Sequence, residues 1–316
     1  MEGCFSMAES TLGWIGCGRM GTAMASRLIK AGNNLSVTNR TRAKAEVLGE
    51  MGATVVDTAR DLAGSDVVFI MVSGNDDLVE VTSGPVGVLS DPDRAPKIVV
   101  DCSTVSTETS AQVRAACAAR GTVFLAAPVS GNPKVVSAGE LTLAVSGTIE
   151  GFDAVKGYLH QIGKGATYVG DGEVARLVKI CHNIVLGVVT QCLAEVTVLA
   201  EKGGVKRSAF LEFVNGSVMG SMFSRYKTPA FVNLDFKPTF TPVLLKKDFD
   251  LGLAEAKHLG VSMPVAALCT EIVKSSIGAG YVNEDFAVLL LEAARSAGLT
   301  LVAENVAIDD GLGGAG

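Results

Sequence analysis

The stretch GWIGCGRMGTAMASRLIKAG, Gly13 to Gly32, sets glycines at 16, 18 and 21 between a short apolar run and a segment of helical spacing. Few local structures accept that pattern. The run ending at Gly16 reads as a strand, Met20 to Ala31 as a helix, and the glycines as a tight turn joining them. Gly16 permits the turn, Gly18 lets backbone approach a ligand, and Gly21 allows close helix–strand packing. The helix N-terminus offers N–H groups to an anion. A G-x-G-x-x-G that follows a strand and opens a helix in a βαβ unit is a dinucleotide fingerprint. It makes Gly16, Cys17, Gly18, Arg19, Met20 and Gly21 the candidate pyrophosphate contacts.

The rest of the first half repeats the strand–helix alternation. NLSVTNR, ATVVD, SDVVFIMVSG, KIVVDCST, TVFLAAPVSG, LTLAVSG and ATYVG read as strands, with helical segments such as TRAKAEVLGEMG and TETSAQVRAACAARG among them. Uninterrupted apolar runs fit strands covered on both faces, and the alternation implies βαβ units and a parallel sheet. After Gly172 no convincing strand follows. Glu173 to Gly203 reads as one helix about 45 Å long, and further helical segments end with one that Asp285 is placed to N-cap. The expected fold is an α/β Rossmann dinucleotide-binding domain over 11–172, then an all-α domain over 173–305, joined by the long helix. A tail over 1–10 precedes them and a Gly-rich tail, 306–316, follows and is expected to be disordered.

Composition narrows the partners. Net charge is −6, which disfavours nucleic acid or an anionic membrane as a partner. The seven cysteines show no CxxC spacing, so reduced, mostly buried thiols and a cytoplasmic protein are expected. His160 and His258 lack carboxylate or Cys partners at ligand spacing, so no metal is expected. The most apolar stretch, Ile180 to Ala200, is interrupted by His182, Asn183, Gln191 and Glu195, and reads as a buried helix instead of a membrane span.

The end of the second strand chooses the nucleotide. An NAD site places a carboxylate there for the ribose 2′-hydroxyl. This chain has TNRTR, with no carboxylate. Arg40 supplies a planar donor fork suited to a 2′-phosphate, with Asn39 and Thr41 beside it. The expected cofactor is NADPH/NADP.

Four more segments, DCSTVSTETS (101–110), APVSGNPKVVSAGELTLAVSG (127–147), GDGEVARLVKICHN (170–183) and LLKKDFDLGLAEAKHLGVSMP (244–264), line up with the glycine turn. Together they resemble, in order and spacing, the β-hydroxyacid dehydrogenase family, which includes 3-hydroxyisobutyrate dehydrogenase, tartronate semialdehyde reductase and glyoxylate/succinic semialdehyde reductases. The resemblance runs from about Thr11 to Leu301 and implies oxidoreduction between a small β-hydroxy acid and its aldehyde acid. It implies Lys179 as catalytic acid/base and Asn183 as a substrate contact. It further implies Ser130 and Gly131 as contacts to the substrate carboxylate, Thr104 as a contact near the nicotinamide ribose, and Lys247 at the cofactor and substrate site.

The residues support the same chemistry. Reduction of a carbonyl needs a proton donor at the oxygen. Lys179 and Asn183 are four apart, on one face of the long helix. Val174, Leu177, Val178, Ile184 and Val185 are expected to surround Lys179, desolvate it and lower its pKa. Met71, Val72 and Ser73 end the fourth strand and line the cofactor groove. Two departures from the family pattern stand beside the substrate: His182 replaces an Asn, and Asn132, itself an expected substrate contact, and Pro133 replace a second Gly. His182 is expected either to titrate near the site or to be buried against a neighbouring helix.

The expectation is an NADPH-preferring oxidoreductase acting on a small carboxylate aldehyde or hydroxy acid. Apolar residues on nearly every side of the long helix suggest a homodimer or homotetramer. Two alternatives remain: an imine reductase on the same fold, and a nucleotide-binding scaffold without turnover. Retention of Lys179 disfavours both.

Overall fold

The computed structural model describes residues 10–313. Most of the expected N-terminal tail, Cys4 and the last three residues of the Gly-rich tail lie outside the described residues. The chain divides into two compact units, the first ending at Lys179 and the second beginning at Ile180. The division falls inside the long helix, whereas the sequence places a boundary just before it.

Among the described residues, the first unit is built on nine strands: β1 (Leu12–Ile15), β2 (Leu35–Thr38), β3 (Thr54–Val55), β4 (Val67–Ile70), β5 (Ile98–Asp101), β6 (Val123–Ala126), β7 (Val129–Ser130), β8 (Thr142–Ser146) and β9 (Gly165–Gly170). They form one sheet in the order β3-β2-β1-β4-β5-β6-β8-β7, with β9 beside β8. Six helices belong to this unit: α1 (Arg19–Lys30), α2 (Arg42–Gly49), α3 (Asn75–Ser83), α4 (Thr107–Ala118), α5 (Pro133–Ser137) and α6 (Ile149–Ile162). β1 is parallel to both neighbours, with Ile15 opposite Thr38 of β2 and Ile70 of β4. The strand order therefore reverses between β1 and β4, and the crevice beyond their C-terminal ends is where such sheets bind ligands.

Each central strand is buried on both faces because its apolar run is continuous. Leu12, Trp14, Phe69 and Val100 fall in one core cluster. Ile15, Val68, Ile70 and Val99 fall in the other. Adjacent residues of a strand thus feed opposite layers, as the two-residue period requires.

The sheet is less uniform than the alternation suggests. TVFLAAPVSG is two strands, β6 and β7, parted at Pro128, whose carbonyl accepts from Ala144 N–H at 3.1 Å. β8 runs antiparallel to β6 and β7, so parallel pairing is interrupted at this edge and resumes between β8 and β9.

α7 (Val174–Lys202) runs out of the first unit and is followed in the second by α8 (Arg207–Gly216), α9 (Met222–Asn233), α10 (Pro242–His258), α11 (Pro264–Gly278) and α12 (Leu289–Ser296). Asp285 caps a short 3₁₀ turn, Phe286–Val288, that leads into α12, by accepting from Ala287 N–H. One face of α7 supplies Ile180 and Ile184 to a cluster with Leu245 and Phe249. It supplies Leu193 and Val198 to a second cluster with Leu211 and Phe231. The other face carries Val174, Val178, Val185, Val189, Val196 and Leu199, between 39 and 72 % exposed. Exposed Cys181 and Cys192 lie on the same stripe, while Cys17, Cys102, Cys117 and Cys269 are buried. By length and composition α7 is able to cross a membrane, and half of its most apolar stretch is buried within the protein. The expected tail from 306 is in part held: Asn233 exchanges hydrogen bonds with Val306, and Ile308 packs on the α7–α8–α9 cluster.

Candidate active site

The glycine turn has the geometry that its pattern predicts. Gly16 has φ +99°, and a Cβ there would stand 2.1 Å from the Met71 carbonyl. A Cβ on Gly21 would stand 1.9 Å from the Gly16 carbonyl, so α1 and the turn touch backbone to backbone. Trp14 Nε1 donates to that same carbonyl at 2.9 Å. Gly18 differs: a Cβ there meets nothing within 4 Å. It is the N-cap of α1 and supplies no side-chain cap. The open space at Gly18 and the uncapped first turn of α1 fit the pyrophosphate of a dinucleotide. Gly18 and Arg19 are exposed, and Met20 is half-buried.

Cys17 is turned inward, and burial pushes its thiol up to about 11. Its N–H donates to Asn39 Oδ1 at 2.8 Å. Asn39 therefore braces the glycine turn against the end of β2, and its Nδ2 donates to the Thr41 carbonyl. Arg40 is 87 % exposed and pairs with Asp77 on α3 at 3.0 Å. Arg42 pairs with Glu46 and Asp57. Thr41 is exposed at the N-cap of α2.

β4 stops at Ile70, so Met71, Val72 and Ser73 lie in the following loop and do not end the strand. Met71 N–H donates to the Ile15 carbonyl, and Val72 N–H to Ser103 Oγ at 2.9 Å. Thr104 follows Ser103 in the loop after β5, half-buried. The loops after β1, β4 and β5 are thus tied together at the crevice.

Ser130 ends β7, half-buried, and Gly131 has φ +145°. Asn132 is the N-cap of α5, where its Oδ1 accepts from Val135 N–H. That oxygen is thereby occupied within the fold, a role that the expected substrate contact does not include.

Lys179 is half-buried on α7, one turn before Asn183. Three of the five apolar residues expected to surround it do not. Val174, Val178 and Val185 are 41, 40 and 61 % exposed. At about 100° per residue these three fall on the outward side of the helix, away from Lys179. The residues that share its side are Ala175, Arg176, His182 and Asn183.

In the second unit Asn183 is buried, and its Nδ2 donates to Asp248 Oδ2 at 2.6 Å. Its Oδ1 lies 3.0 Å from His182 Nδ1. His182 is exposed, which corrects the expectation that it is buried against another helix. Lys247 is exposed, while Lys246 pairs with Asp250 at 2.5 Å. Asp248, buried beside Lys247, is a residue that the sequence pattern does not single out. Its signal is a carboxylate on the buried face of α10, among Leu245, Phe249 and Gly252.

Two family models cover the chain. The NAD-binding domain of 6-phosphogluconate dehydrogenase matches residues 11–170. The NAD-binding domain of NADP-dependent 3-hydroxyisobutyrate dehydrogenase matches 170–293. The 2-(hydroxymethyl)glutarate dehydrogenase of Eubacterium barkeri is 31 % identical over 88 % of this chain and 93 % of its own length. The 3-hydroxyisobutyrate dehydrogenase of Pseudomonas aeruginosa is 30 % identical over 83 % and 90 %. The crystal structure of 3-hydroxyisobutyrate dehydrogenase from Salmonella typhimurium superposes with a TM-score of 0.79 at 26 % identity, covering 90 % of this chain and all of that one. With its glycine turn, the open space at Gly18 and these relatives, the chain belongs to the β-hydroxyacid dehydrogenase family of NAD(P)-dependent oxidoreductases.

Proposed function

We propose that this protein is an NADPH-preferring oxidoreductase that interconverts a small β-hydroxy acid and its aldehyde acid, with Lys179 as the general acid/base. The observation that carries the reading is the pair on α7. Lys179 precedes Asn183 by one helical turn, and buried Asp248 fixes the Asn183 amide at 2.6 Å. One amide N–H is engaged by Asp248, which leaves the second for a substrate oxygen.

A reduced nicotinamide dinucleotide, held through its pyrophosphate at the glycine turn, would supply the hydride. Lys179 donates a proton to the carbonyl oxygen as that oxygen gains charge, and in oxidation the neutral amine takes the hydroxyl proton. The Ser130 hydroxyl and Gly131 N–H seat the substrate carboxylate. Arg40 would hold the 2′-phosphate, giving up its exposed partner Asp77. The names of the relatives support the substrate class, since 3-hydroxyisobutyrate and 2-(hydroxymethyl)glutarate both carry a hydroxyl β to a carboxylate.

The test follows NADPH absorbance with glyoxylate, succinic semialdehyde, tartronate semialdehyde and methylmalonate semialdehyde. At least one of the last two, whose reduction gives a β-hydroxy acid, is expected to be reduced. Binding of NADPH with turnover of none would overturn the reading.

The outward apolar stripe of α7 is the contact to a second copy, in a homodimer or homotetramer. Val174, Val178, Val185, Val189, Val196 and Leu199 recur at spacings of three, four and seven, a continuous strip along the helix. Light scattering is expected to give at least twice the chain mass, and Val185→Glu to reduce it. A wild-type monomer would contradict this.

A further inference from the structure

We propose that Arg176 is a positioning residue: it makes the loop after β5 and the start of α7 move as one body, so that dinucleotide binding is felt at Lys179. The consequence for turnover rests on the reading of Lys179 as proton donor. The mechanical coupling does not.

Arg176 stands in the first turn of α7, three residues before Lys179, with its side chain 1 % exposed. A guanidinium that deep must have its donors satisfied. Nη2 donates to Asp101 Oδ2 at 2.5 Å, Nη1 to the Ser103 carbonyl at 2.6 Å, and Nε to Ser110 Oγ at 3.1 Å. Asp101 ends β5 and is itself fully buried; its Oδ1 accepts from Ser103 N–H at 3.0 Å. Ser103 in turn accepts from Val72 through its hydroxyl. One side chain therefore reaches the loop before Thr104 and, through Ser103, the loop of Val72.

Ser110 continues the chain by donating to Glu173, which pairs with Arg114 at 2.6 Å. Arg114 also donates to the Gly172 carbonyl, as does Ser146, and Ser146 accepts from Ala175 N–H. These second contacts hold the start of α7 against β8 and α4 without Arg176. What Arg176 adds is the link to the loop after β5. Well-packed apolar residues hold an interior at least as firmly as a buried ion pair does. The planar fork supplies direction: three bonds in one plane fix both the rotation and the height of the helix against the loop.

The experiment compares the wild type with Arg176→Lys, which keeps the charge and loses the fork. A second variant, Asp101→Asn with Arg176→Met, removes both charges together and decides the matter if the lysine variant does not fold. Trp14, the single tryptophan, reports NADPH binding through its bond to the glycine turn. In the wild type, NADPH is expected to slow backbone amide exchange over Ala175–Lys179 by about fivefold or more. In the folded variants that protection is lost while NADPH affinity is retained. On any aldehyde acid that the wild type reduces, kcat falls about 100-fold with KM little changed, as for a misplaced reacting group. A merely structural role would lower the melting temperature and leave protection and kcat per folded molecule intact. Wild-type protection in both folded variants, or no protection in the wild type, overturns the proposal. A wild type that reduces none of the aldehyde acids overturns the reading of Lys179 instead, and amide exchange still decides the coupling.

Discussion

Among the described residues, each unit buries an ion pair almost completely, Arg176–Asp101 in the first and Lys227–Asp285 in the second, and the two are built differently. Arg176–Asp101 in the first unit uses a planar fork with three acceptors on β5, its loop and α4. Lys227–Asp285 in the second unit uses a point charge. Lys227 Nζ donates to Asp285 Oδ1 at 2.5 Å and to Thr239 Oγ1 at 3.1 Å, and lies 4.3 Å from the centre of the Phe286 ring. Asp285 also accepts from the backbone of Thr239 and Ala287. The second pair closes a loop onto α9 and the turn before α12, and touches no candidate site residue. The first pair stands between Thr104 and Lys179. A fork is suited to fixing an orientation; a point charge over an aromatic ring holds segments together but tolerates rotation.

The largest expected effect tests the second pair. Asp285→Ala leaves Lys227 buried without its carboxylate, and unfolding free energy is expected to fall by about 3–5 kcal/mol, read by urea denaturation. Turnover per folded molecule should be unchanged; a drop like that of Arg176→Lys would erase the contrast. The same pair gives an acid limb. Burial raises the Asp285 carboxyl, but Lys227 and the hydrogen bonds from Thr239 and Ala287 outweigh it and hold the group below its ordinary value of 3.8. Its contribution is fully present above that value and lost as pH falls through the lower folded one. Denaturation midpoints should therefore decline below about pH 4, and less steeply in Asp285→Asn.

An exposed pair extends the contrast. Arg40 and Asp77 are 87 and 30 % exposed. Such a pair is worth about 0–1 kcal/mol and yields readily to a phosphate. Arg40→Asp is expected to shift the kcat/KM ratio of NADPH to NADH by about tenfold or more toward NADH, one bidentate charge contact. Asp77→Asn is the smallest effect, a gain in NADPH affinity of about fivefold at most. A loss of affinity in Asp77→Asn would mean that the carboxylate orients Arg40 and does not compete for it.

Much of this was legible in the sequence because it is local. The glycine turn, the buried strands and the 29-residue helix follow from spacings within one element. Lys179 and Asn183 stand out for the same reason. What escaped depends on contacts distant along the chain. Arg176 reads as an ordinary helix residue until Asp101, 75 positions away, is brought beside it. Asp248 finds Asn183 across 65 positions. The direction of β8 could not be read either, since alternation reveals faces and not pairing partners. The apolar neighbours of Lys179 misled for a related reason. Val174, Val178 and Val185 are near it in sequence, but the helix turns them outward, where they join the strip assigned to a second copy, and Ile184 goes to the cluster with Leu245 and Phe249.

The most direct test of the account is NADPH oxidation by Lys179→Ala, measured with the aldehyde acid that the wild type reduces best. The account predicts that Trp14 still signals NADPH binding while the rate falls about 1000-fold. A rate close to that of the wild type, with binding intact, would show that the proton comes from elsewhere and would contradict it.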